Sequence, residues 1–150
     1  MIRNRRPKQD DSAIMDLIKT QLVPLSHMSK QDIDQVIKEI PFRLSRGISL
    51  VSSSTYESDL FGFIHFMMHG DLLYIDMMAV SPKQQRKNHG RELLLKAEQF
   101  GISRGCKKSK VMVDEGNHKG VLFYKKSGYE LIRYMDIGRC YEMGKNLEIY

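Results

Sequence analysis

Apolar residues at helical spacing predict a first helix close to the N-terminus. This helix carries them at Ile14, Leu17, Ile18 and Leu22. We expect Asp10 or Asp11 to cap it, because a short carboxylate accepts hydrogen bonds from the free N–H groups of a first turn. A short edge strand over residues 2–6, which Pro7 ends, precedes the helix.

A second helix is predicted by the same spacing further along the chain. Its apolar positions are Ile33, Val36, Ile37 and Ile40. Ser29 and Asp32 stand just before them and resemble the capping box that begins many helices. Residues 23–28, which include Pro24, are therefore predicted to be a loop between the two helices.

Beyond residue 46 the pattern changes to short apolar runs separated by turns, which predicts strands. Residues 48–53 and 61–69 form the first two runs. Gly70 then makes a tight turn into a third run over residues 72–80. Because these strands follow one another through short turns, they predict an antiparallel meander.

The remaining chain predicts a crossover followed by a closing hairpin. A helix over residues 90–104 leads to a short strand over residues 110–113, an arrangement that implies parallel neighbours. A helix over residues 118–127 and a hairpin over residues 129–143 follow. We therefore predict one α/β domain over residues 1–150, with a mixed sheet of six to seven strands and about four helices.

The third strand runs directly into a polar, basic loop that opens the crossover helix. Pro82 ends the strand, and the segment from Lys83 to Gly90 contains no residue that could build a core. The helix after it is apolar on one face, at Leu93, Leu94, Ala97 and Phe100. Its free N-terminal N–H groups point back at the loop, where the helix dipole favours an anion, so the layout predicts a phosphate site.

The residues of this segment also carry a resemblance to a known family. Val80-Ser81-Pro82, then QRKNHG over residues 85–90, then the pair Leu93–Leu94 resemble the acetyl-CoA loop of the GNAT N-acetyltransferase superfamily. That family has V-x-P, then R/Q-x-x-G-x-G/A, then a helix with a Leu pair. The one departure is Asn88 in place of the first glycine, and asparagine accepts a left-handed backbone more readily than most residues.

A second stretch resembles the other signature of the family. Residues 117–129, NHKGVLFYKKSGY, resemble the pattern N-x-x-A-x-x-F-Y-x-x-x-G-F/Y at every anchor except Gly120. The resemblance implies that Asn117 hydrogen-bonds the pantetheine arm, that Phe123 packs on the cofactor and that Tyr124 protonates the leaving thiolate. The alternatives are that Asn117 is only a helix N-cap and Tyr124 only a buried aromatic residue.

The resemblance implies a GNAT-like mixed sheet that is splayed at its parallel pair, with acetyl-CoA as acyl donor. The residues expected to bind acetyl-CoA are Met78, Val80, Gln85, Arg86, Lys87, Asn88, His89, Gly90, Arg91, Asn117, Phe123 and Tyr124. The basic residues among them would neutralise the diphosphate and the 3′-phosphate.

The implied reaction is direct attack of a primary amine on the thioester, through a tetrahedral intermediate. A backbone N–H near Met78 would stabilise the oxyanion, and Tyr124 would be the general acid. Tyr74 and Asp76 share one face of the third strand, so either could reach the acceptor. Asp76 is the preferred candidate for the base or for a contact to the substrate ammonium, although a carboxylate on a strand can also be purely structural. Asp114 and Glu115 are expected to be solvated loop charges.

The charge balance favours anionic partners over cationic ones. Lys and Arg number 24 against 18 Asp and Glu, a formal charge of +6, which suits cofactor phosphates, nucleic acid or an acidic substrate. A non-catalytic acyl-CoA sensor or a nucleic-acid-binding module is therefore the alternative. No aromatic residues interleave with the basic runs as single-strand binders require, so nucleic acid is not the expected partner.

The remaining residues bear on metal binding, on the cell compartment and on the acceptor. His65 and His69 share a strand face without a third ligand, so no metal is expected. Cys106 and Cys140 fit no disulfide framework and are expected to be free thiols in a reducing compartment. No apolar run approaches the ~18 residues of a membrane span, which makes a cytoplasmic protein the expectation. The acceptor, a small-molecule or peptide amine, stays open, and the family suggests a homodimer.

Overall fold

The computed structural model describes residues 1–147 and contains a seven-stranded mixed sheet with two helices on each face. The strands are β1 (Ile2–Asn4), β2 (Ile48–Ser53), β3 (Leu60–His69), β4 (Leu72–Val80), β5 (Lys108–Asp114), β6 (Glu130–Met135) and β7 (Cys140–Asn146). The helices are α1 (Pro7–Leu17), α2 (Lys30–Leu44), α3 (His89–Ser103) and α4 (His118–Lys126). The strand order is β1-β2-β3-β4-β5-β7-β6.

The predicted α/β architecture is confirmed. Strands β1 to β4 form the expected antiparallel meander, and α3 crosses over to β5, which lies parallel to β4. Ser29 caps α2, because its side chain accepts a hydrogen bond from the N–H of Asp32. Strands β5 and β7 are longer than the sequence predicts, because they pair with each other from Lys108–Asn146 to Asp114–Cys140.

Two predictions about the N-terminal region are wrong. Helix α1 begins at Pro7 with Arg6 as its N-cap residue, so neither Asp10 nor Asp11 is the cap. Proline has no N–H to satisfy and its φ is already helical, which makes it a good first residue. Residues 23–28 are not entirely a loop either: a π-helical turn continues α1, and Val23–Leu25 then forms a 3-10 turn.

Each face of the sheet has its own hydrophobic core. The core under α3 and α4 contains Leu50, Ile64, Phe66, Leu73, Ile75, Leu93, Leu94, Ala97, Val111, Val113, Tyr124 and Met143, among others. The core under α1 and α2 contains Ile14, Leu17, Ile18, Ile40, Leu44, Val51, Phe63, Met77 and Ala79, among others. Burial on both faces explains why the central strands are apolar almost throughout.

A bulge in β4 changes which face its side chains cover. His65 of β3 pairs with Met77, whereas the next residue, Phe66, pairs with Ile75, so Asp76 is the extra residue. An extra residue reverses the alternation of the strand. Accordingly Ile75 lies in the core under α3, whereas Met77 lies in the core under α1 and α2.

The parallel pair separates at this bulge. Strands β4 and β5 pair only from Leu72–Lys108 to Ile75–Val111. Beyond these positions β4 continues to Val80 and β5 to Asp114, and no pairing between them is present. The sheet therefore opens into a wedge, called the β4–β5 gap below, which is the splay that the family resemblance implies.

The N-terminal strand is fixed to α1 by a buried ion pair. Arg3 donates two hydrogen bonds to Asp10, at 2.7 and 3.0 Å, and the two side chains are 4% and 2% exposed. Burial alone would raise the pKa of the Asp10 carboxyl, but hydrogen bonds from Arg3 and from the Arg6 N–H outweigh it and hold this pKa below its usual value. The neighbouring pair, Arg5 with Asp11, lies nearer the surface.

Asp10→Ala is expected to lower the free energy of unfolding by about 3–5 kcal/mol at pH 7, because it leaves Arg3 buried and unpaired. Asp11→Ala, the matched control, is expected to lower it by at most about 1 kcal/mol. Since the pKa of Asp10 is lowered by folding, its contribution is complete above about pH 4 and is lost as pH falls through the lower folded-state value. Urea denaturation at pH 7 and pH 3 measures both effects, and equal losses for the two variants at pH 7 would contradict the assignment.

Candidate functional site

The predicted phosphate loop, residues 81–90, leaves the end of β4 and enters α3. A 3-10 turn, Pro82–Gln84, comes first. The side chain of Gln85 then folds back, and its Nε2 donates a hydrogen bond of 2.9 Å to the backbone oxygen of Val80. This bond fastens the loop to β4, so Gln85 shapes the loop through its side chain.

Two residues of the loop have a left-handed backbone. Arg86 has φ 66° and Asn88 has φ 65°. Asn88 lies directly before α3, in the position where the family pattern has glycine, and the loop forms with asparagine there. A left-handed residue beside a right-handed one turns backbone N–H groups towards the same side, which makes a concavity suited to an anion.

The side chains of the loop fit a phosphate-bearing ligand. Arg86, Lys87 and Arg91 are exposed, and none of them takes part in the ion pairs of the described chain. The His89 ring lies 4.4 Å from the ring of Phe61 and its Nδ1 is buried without a hydrogen-bond partner. Unpaired cations, free helix N–H groups and an unsatisfied ring nitrogen are groups that a diphosphate would use.

Helix α4, which carries most of the second family signature, packs against the phosphate loop of the first. A Cβ atom on Gly90 would lie 3.5 Å from the Phe123 ring and 3.8 Å from Val80, so the ring packs directly on the loop backbone. Phe123 also contacts Tyr124, with ring centroids 5.1 Å apart. The two stretches that resemble the family signatures therefore meet at one place.

Asn117 lies where the structural alternative put it, at the N-cap of α4. Its Oδ1 accepts a hydrogen bond of 3.0 Å from the N–H of Gly120. A Cβ on residue 120 would lie 2.5 Å from the Asn117 Nδ2, so glycine in place of the usual alanine leaves room for this cap. The Nδ2 group makes no hydrogen bond within the described residues and stays free to donate to a ligand.

Tyr124 is buried in an aromatic cluster below the loop. Its ring is 5.4 Å from that of Tyr129, and burial raises the pKa of the Tyr124 phenol far above its ordinary value. The hydroxyl of Tyr129 is fixed by the Glu98 carboxylate at 2.8 Å and by Ser109 at 2.7 Å. Tyr124 is therefore held in its protonated form beside a rigid neighbour.

The backbone N–H of Met78 points into the β4–β5 gap. The N–H of Ser81 donates to the carbonyl of Phe61 on β3, at 2.8 Å. Because successive N–H groups of a strand alternate in direction, those of Val80 and Met78 point away from β3, towards the side where β5 has separated. The strand thus presents an unpaired donor at the position expected from the sequence.

Asp76, the bulge residue, lies at the closed end of the gap on the α2 side. Arg43 of α2 donates a short hydrogen bond to its Oδ1, whereas its Oδ2 is buried without a hydrogen-bond partner. His65 Nε2, also unsatisfied, is 3.8 Å from this oxygen, and His65 Nδ1 is 2.7 Å from Ser49 Oγ. The carboxylate therefore takes part in an ion pair, as the structural alternative for this residue requires.

Burial also shifts the pKa values of two neighbours of Asp76, His65 and Tyr74. Burial lowers the pKa of His65, because an imidazolium would lose its hydration, although the Asp76 carboxylate opposes this. Burial also raises the pKa of Tyr74, which shares a strand face with Asp76, and the Asp76 charge adds to that increase. Both rings are accordingly neutral at pH 7.

The prediction that Asp114 and Glu115 are solvated loop charges is wrong. Asp114 accepts from the backbone N–H of His27 at 3.2 Å, and its Oδ1 lies 2.6 Å from His27 Nδ1. Glu115 pairs with Arg139 at 2.5 Å and accepts from the Tyr134 hydroxyl at 2.7 Å. These contacts join the segment between α1 and α2 to the end of β5 and to the β6–β7 turn.

Sequence reasoning missed Arg43 and His27 as members of the site. Arg43 follows Pro41, beyond the apolar positions that predict α2, and His27 lies in the segment predicted to be a loop. Each meets its carboxylate only through the tertiary fold, so no local pattern marks them.

Within residues 1–147, no group of three His, Cys, Asp or Glu side chains could hold a metal ion. None of the helices described is long and apolar enough to cross a membrane.

Solved structures with this fold include several acetyltransferases. The PaiA N-acetyltransferase from Thermoplasma acidophilum, solved with coenzyme A, is 21% identical, with a TM-score of 0.74 over 97% of this chain and 99% of that one. Ard1 from Thermoplasma volcanium is 19% identical, with a TM-score of 0.74 over 99% and 98%. The ribosomal-protein-S18-alanine N-acetyltransferase from Escherichia coli is 17% identical, with a TM-score of 0.72 over 100% and 95%.

Sequence comparison assigns the family. No curated protein sequence matches the chain significantly. The model of the acetyltransferase (GNAT) family matches residues 13–129, which include the whole of the phosphate loop and all of α4. Since that match covers most of the chain and the fold agrees with it, the protein belongs to the GNAT acetyltransferase family.

Proposed function

We propose that this protein is an acetyl-CoA-dependent N-acetyltransferase that acetylates a primary amine. The observation that carries the proposal is the contact of Phe123 with Gly90, because it brings the predicted phosphate loop and the buried phenol of Tyr124 together beside an open sheet. The coenzyme A in the Thermoplasma acidophilum structure supports the choice of acyl donor. Free Cys106 and Cys140 agree with a reducing compartment, so we expect the protein to act in the cytoplasm, with a homodimer suggested by the family.

The phosphate loop would hold the phosphates of the donor. Arg86, Lys87 and Arg91 would supply charge, while the N–H groups of residues 88–90 would donate hydrogen bonds at the α3 N-terminus. The Asn117 Nδ2 would donate to the pantetheine arm, and Phe123 would pack beside it. Bound acetyl-CoA supplies the activated acetyl group as a thioester.

Three groups of the chain would serve the transfer itself. Attack by the amine nitrogen would form the C–N bond before the C–S bond breaks, and the Met78 N–H would donate to the thioester oxygen, which carries the negative charge between these two events. Tyr124 would give its proton to the leaving thiolate, and the proton lost by the amine would pass to solvent and return to the phenolate. Asp76, which is already paired with Arg43, suits contact with the acceptor ammonium better than the role of base.

Calorimetric titration with acetyl-CoA at two salt concentrations tests the proposal. We expect saturable one-to-one binding, weakened but not abolished by salt, because the unpaired cations of the loop contribute part of it. A short DNA duplex serves as the comparison and is expected to bind weakly, with steep salt dependence. If acetyl-CoA did not bind and the duplex did, the nucleic-acid-binding alternative would replace the enzyme.

Tyr124→Phe is expected to lower kcat by about 100-fold or more, because it removes the general acid while leaving the ring in place. The Kd for acetyl-CoA is expected to stay within about twofold of the wild-type value. Since burial raises the pKa of Tyr124, no loss of wild-type kcat from ionisation of this residue is expected up to about pH 10. Thiol release, measured with a chromogenic aromatic disulfide, gives the rates, and an unchanged kcat would remove Tyr124 from the mechanism.

Asn88→Gly and Asn88→Val test the left-handed position of the loop. Glycine adopts φ 65° without strain, so Asn88→Gly is expected to bind coenzyme A at least as tightly as the wild type. A β-branched valine is strained there, and Asn88→Val is expected to weaken binding by about tenfold, which corresponds to the roughly 1–2 kcal/mol of a left-handed residue. Equal affinities for the two variants would show that the loop does not need this backbone.

A further inference from the structure

The carboxylates beside the β4–β5 gap are all matched with basic side chains. Strands β4, β5 and β7 carry one described acidic residue each, Asp76, Asp114 and Glu142, and Glu115 directly follows β5. A basic group contacts each of the four carboxylates. The contacts are Arg43 with Asp76, His27 with Asp114, Arg139 with Glu115, and Lys110 and Arg133 with Glu142.

In the pairs made by lysine or arginine, the cation is the member that faces solvent. Asp76 is 6% exposed and Arg43 is 36% exposed. Glu142 is 10% exposed against 61% for Arg133, and Lys110 lies between them. The charges nearly cancel in sum, but a molecule that approaches the gap from solvent meets the cations first.

This arrangement disfavours an acceptor with several ammonium groups. A second ammonium would find Asp76 and Glu142 already paired with arginine or lysine, and would lie close to guanidinium groups of the same sign. A negative group on the acceptor would instead meet N–H donors that are exposed and charged. The surface of the gap therefore selects by charge, independently of the overall charge of the chain.

Arg43 is the cation best placed to act on the reacting amine. It bonds Asp76, the bulge residue, which lies on the same strand as Met78, whose N–H points into the gap. Within the described residues, its guanidinium makes no other side-chain hydrogen bond, so several N–H donors remain. Asp76 Oδ2 also has no partner, but it is buried beside His65, so the partly exposed guanidinium of Arg43, and not this oxygen, is open to a ligand.

We propose that the acceptor is an amine that carries a carboxylate close to its amino group, and that Arg43 binds this carboxylate. The N–H donors that Asp76 leaves unused on Arg43 would bind a carboxylate that lies close to the amino group, because the two charges are opposite. A free amino acid and the acidic N-terminal residue of a peptide both offer this chemistry. The inference rests on the proposed N-acetyltransferase function, since it names the acceptor class of that site.

The test uses acceptors that differ only in charge. L-glutamate and L-aspartate are compared with their diamides, with a peptide that begins with Glu, with its Gln counterpart, and with spermidine. We expect kcat/KM to be at least about tenfold higher for the carboxylates than for the matched amides, and to fall in 0.5 M salt. A preference for the free amino acid or for the peptide identifies the source. Equal use of acid and amide, or a preference for spermidine, would overturn the proposal.

Variants of α2 then assign the effect to Arg43. Arg43→Gln is expected to raise KM for the carboxylate acceptors at least about tenfold more than KM for the matched amides, and Arg43→Lys is expected to recover part of this difference. Arg46→Gln is the matched control, because Arg46 is exposed just beyond the end of α2, where its guanidinium stacks 4.8 Å from the Phe42 ring centroid. An equal loss for acids and amides, or the same loss in Arg46→Gln, would contradict the role of Arg43.

Binding measurements separate this inference from the proposed function. Arg43→Gln leaves Asp76 without its cation, so the double variant Arg43→Gln with Asp76→Asn is measured beside it to show whether a loss reflects unfolding. Glutamate is titrated into each protein with coenzyme A present, without any turnover. If coenzyme A binds but no amine is acetylated, the function fails, whereas binding of glutamate that depends on Arg43 still supports the acceptor class. If glutamate and its diamide bind equally, the acceptor class fails whatever the activity.

Discussion

The loss of pairing between β4 and β5 is the feature on which the site depends. One extra residue, Asp76, reverses the alternation of β4, and the parallel partner has separated from the next position onwards. Backbone groups that would otherwise be used in a sheet ladder become available to a ligand. The rest of the strand stays fixed, because its side chains are buried in cores on both faces.

Helices α3 and α4, on one face of the sheet, place the candidate donor-binding groups beside this opening. The N-terminus of α3 offers N–H groups and unpaired cations, and α4 offers an aromatic ring and a phenol kept protonated by burial. The ring of Phe123 packs beside the backbone of Gly90 in this loop. From the opposite face, α2 contributes Arg43, so that donor and acceptor would be handled by different layers of the fold.

Formal charge describes this protein poorly without the positions of its charges. The net charge of +6 alone favours anionic partners, but it does not tell cofactor phosphates from an acidic substrate. Within residues 1–147, the loop cations Arg86 and Lys87 lie outside the ion pairs, whereas the cations near the gap are paired with buried carboxylates. Paired arginines can still recognise an anion, since a carboxylate partner uses only part of a guanidinium.

The sequence by itself determined the order of the elements and the phosphate loop, because helical spacing, strand runs and the Val80 to Gly90 pattern are local. Its resemblance to the GNAT family pointed to Tyr124 and Met78 as site candidates, whose roles stay predictions. Only the tertiary structure decided that Asp76 is a bulge residue paired with Arg43, and that Asp114 contacts His27. Those contacts join residues far apart in the chain, and their partners are set by packing, which no spacing along the sequence encodes.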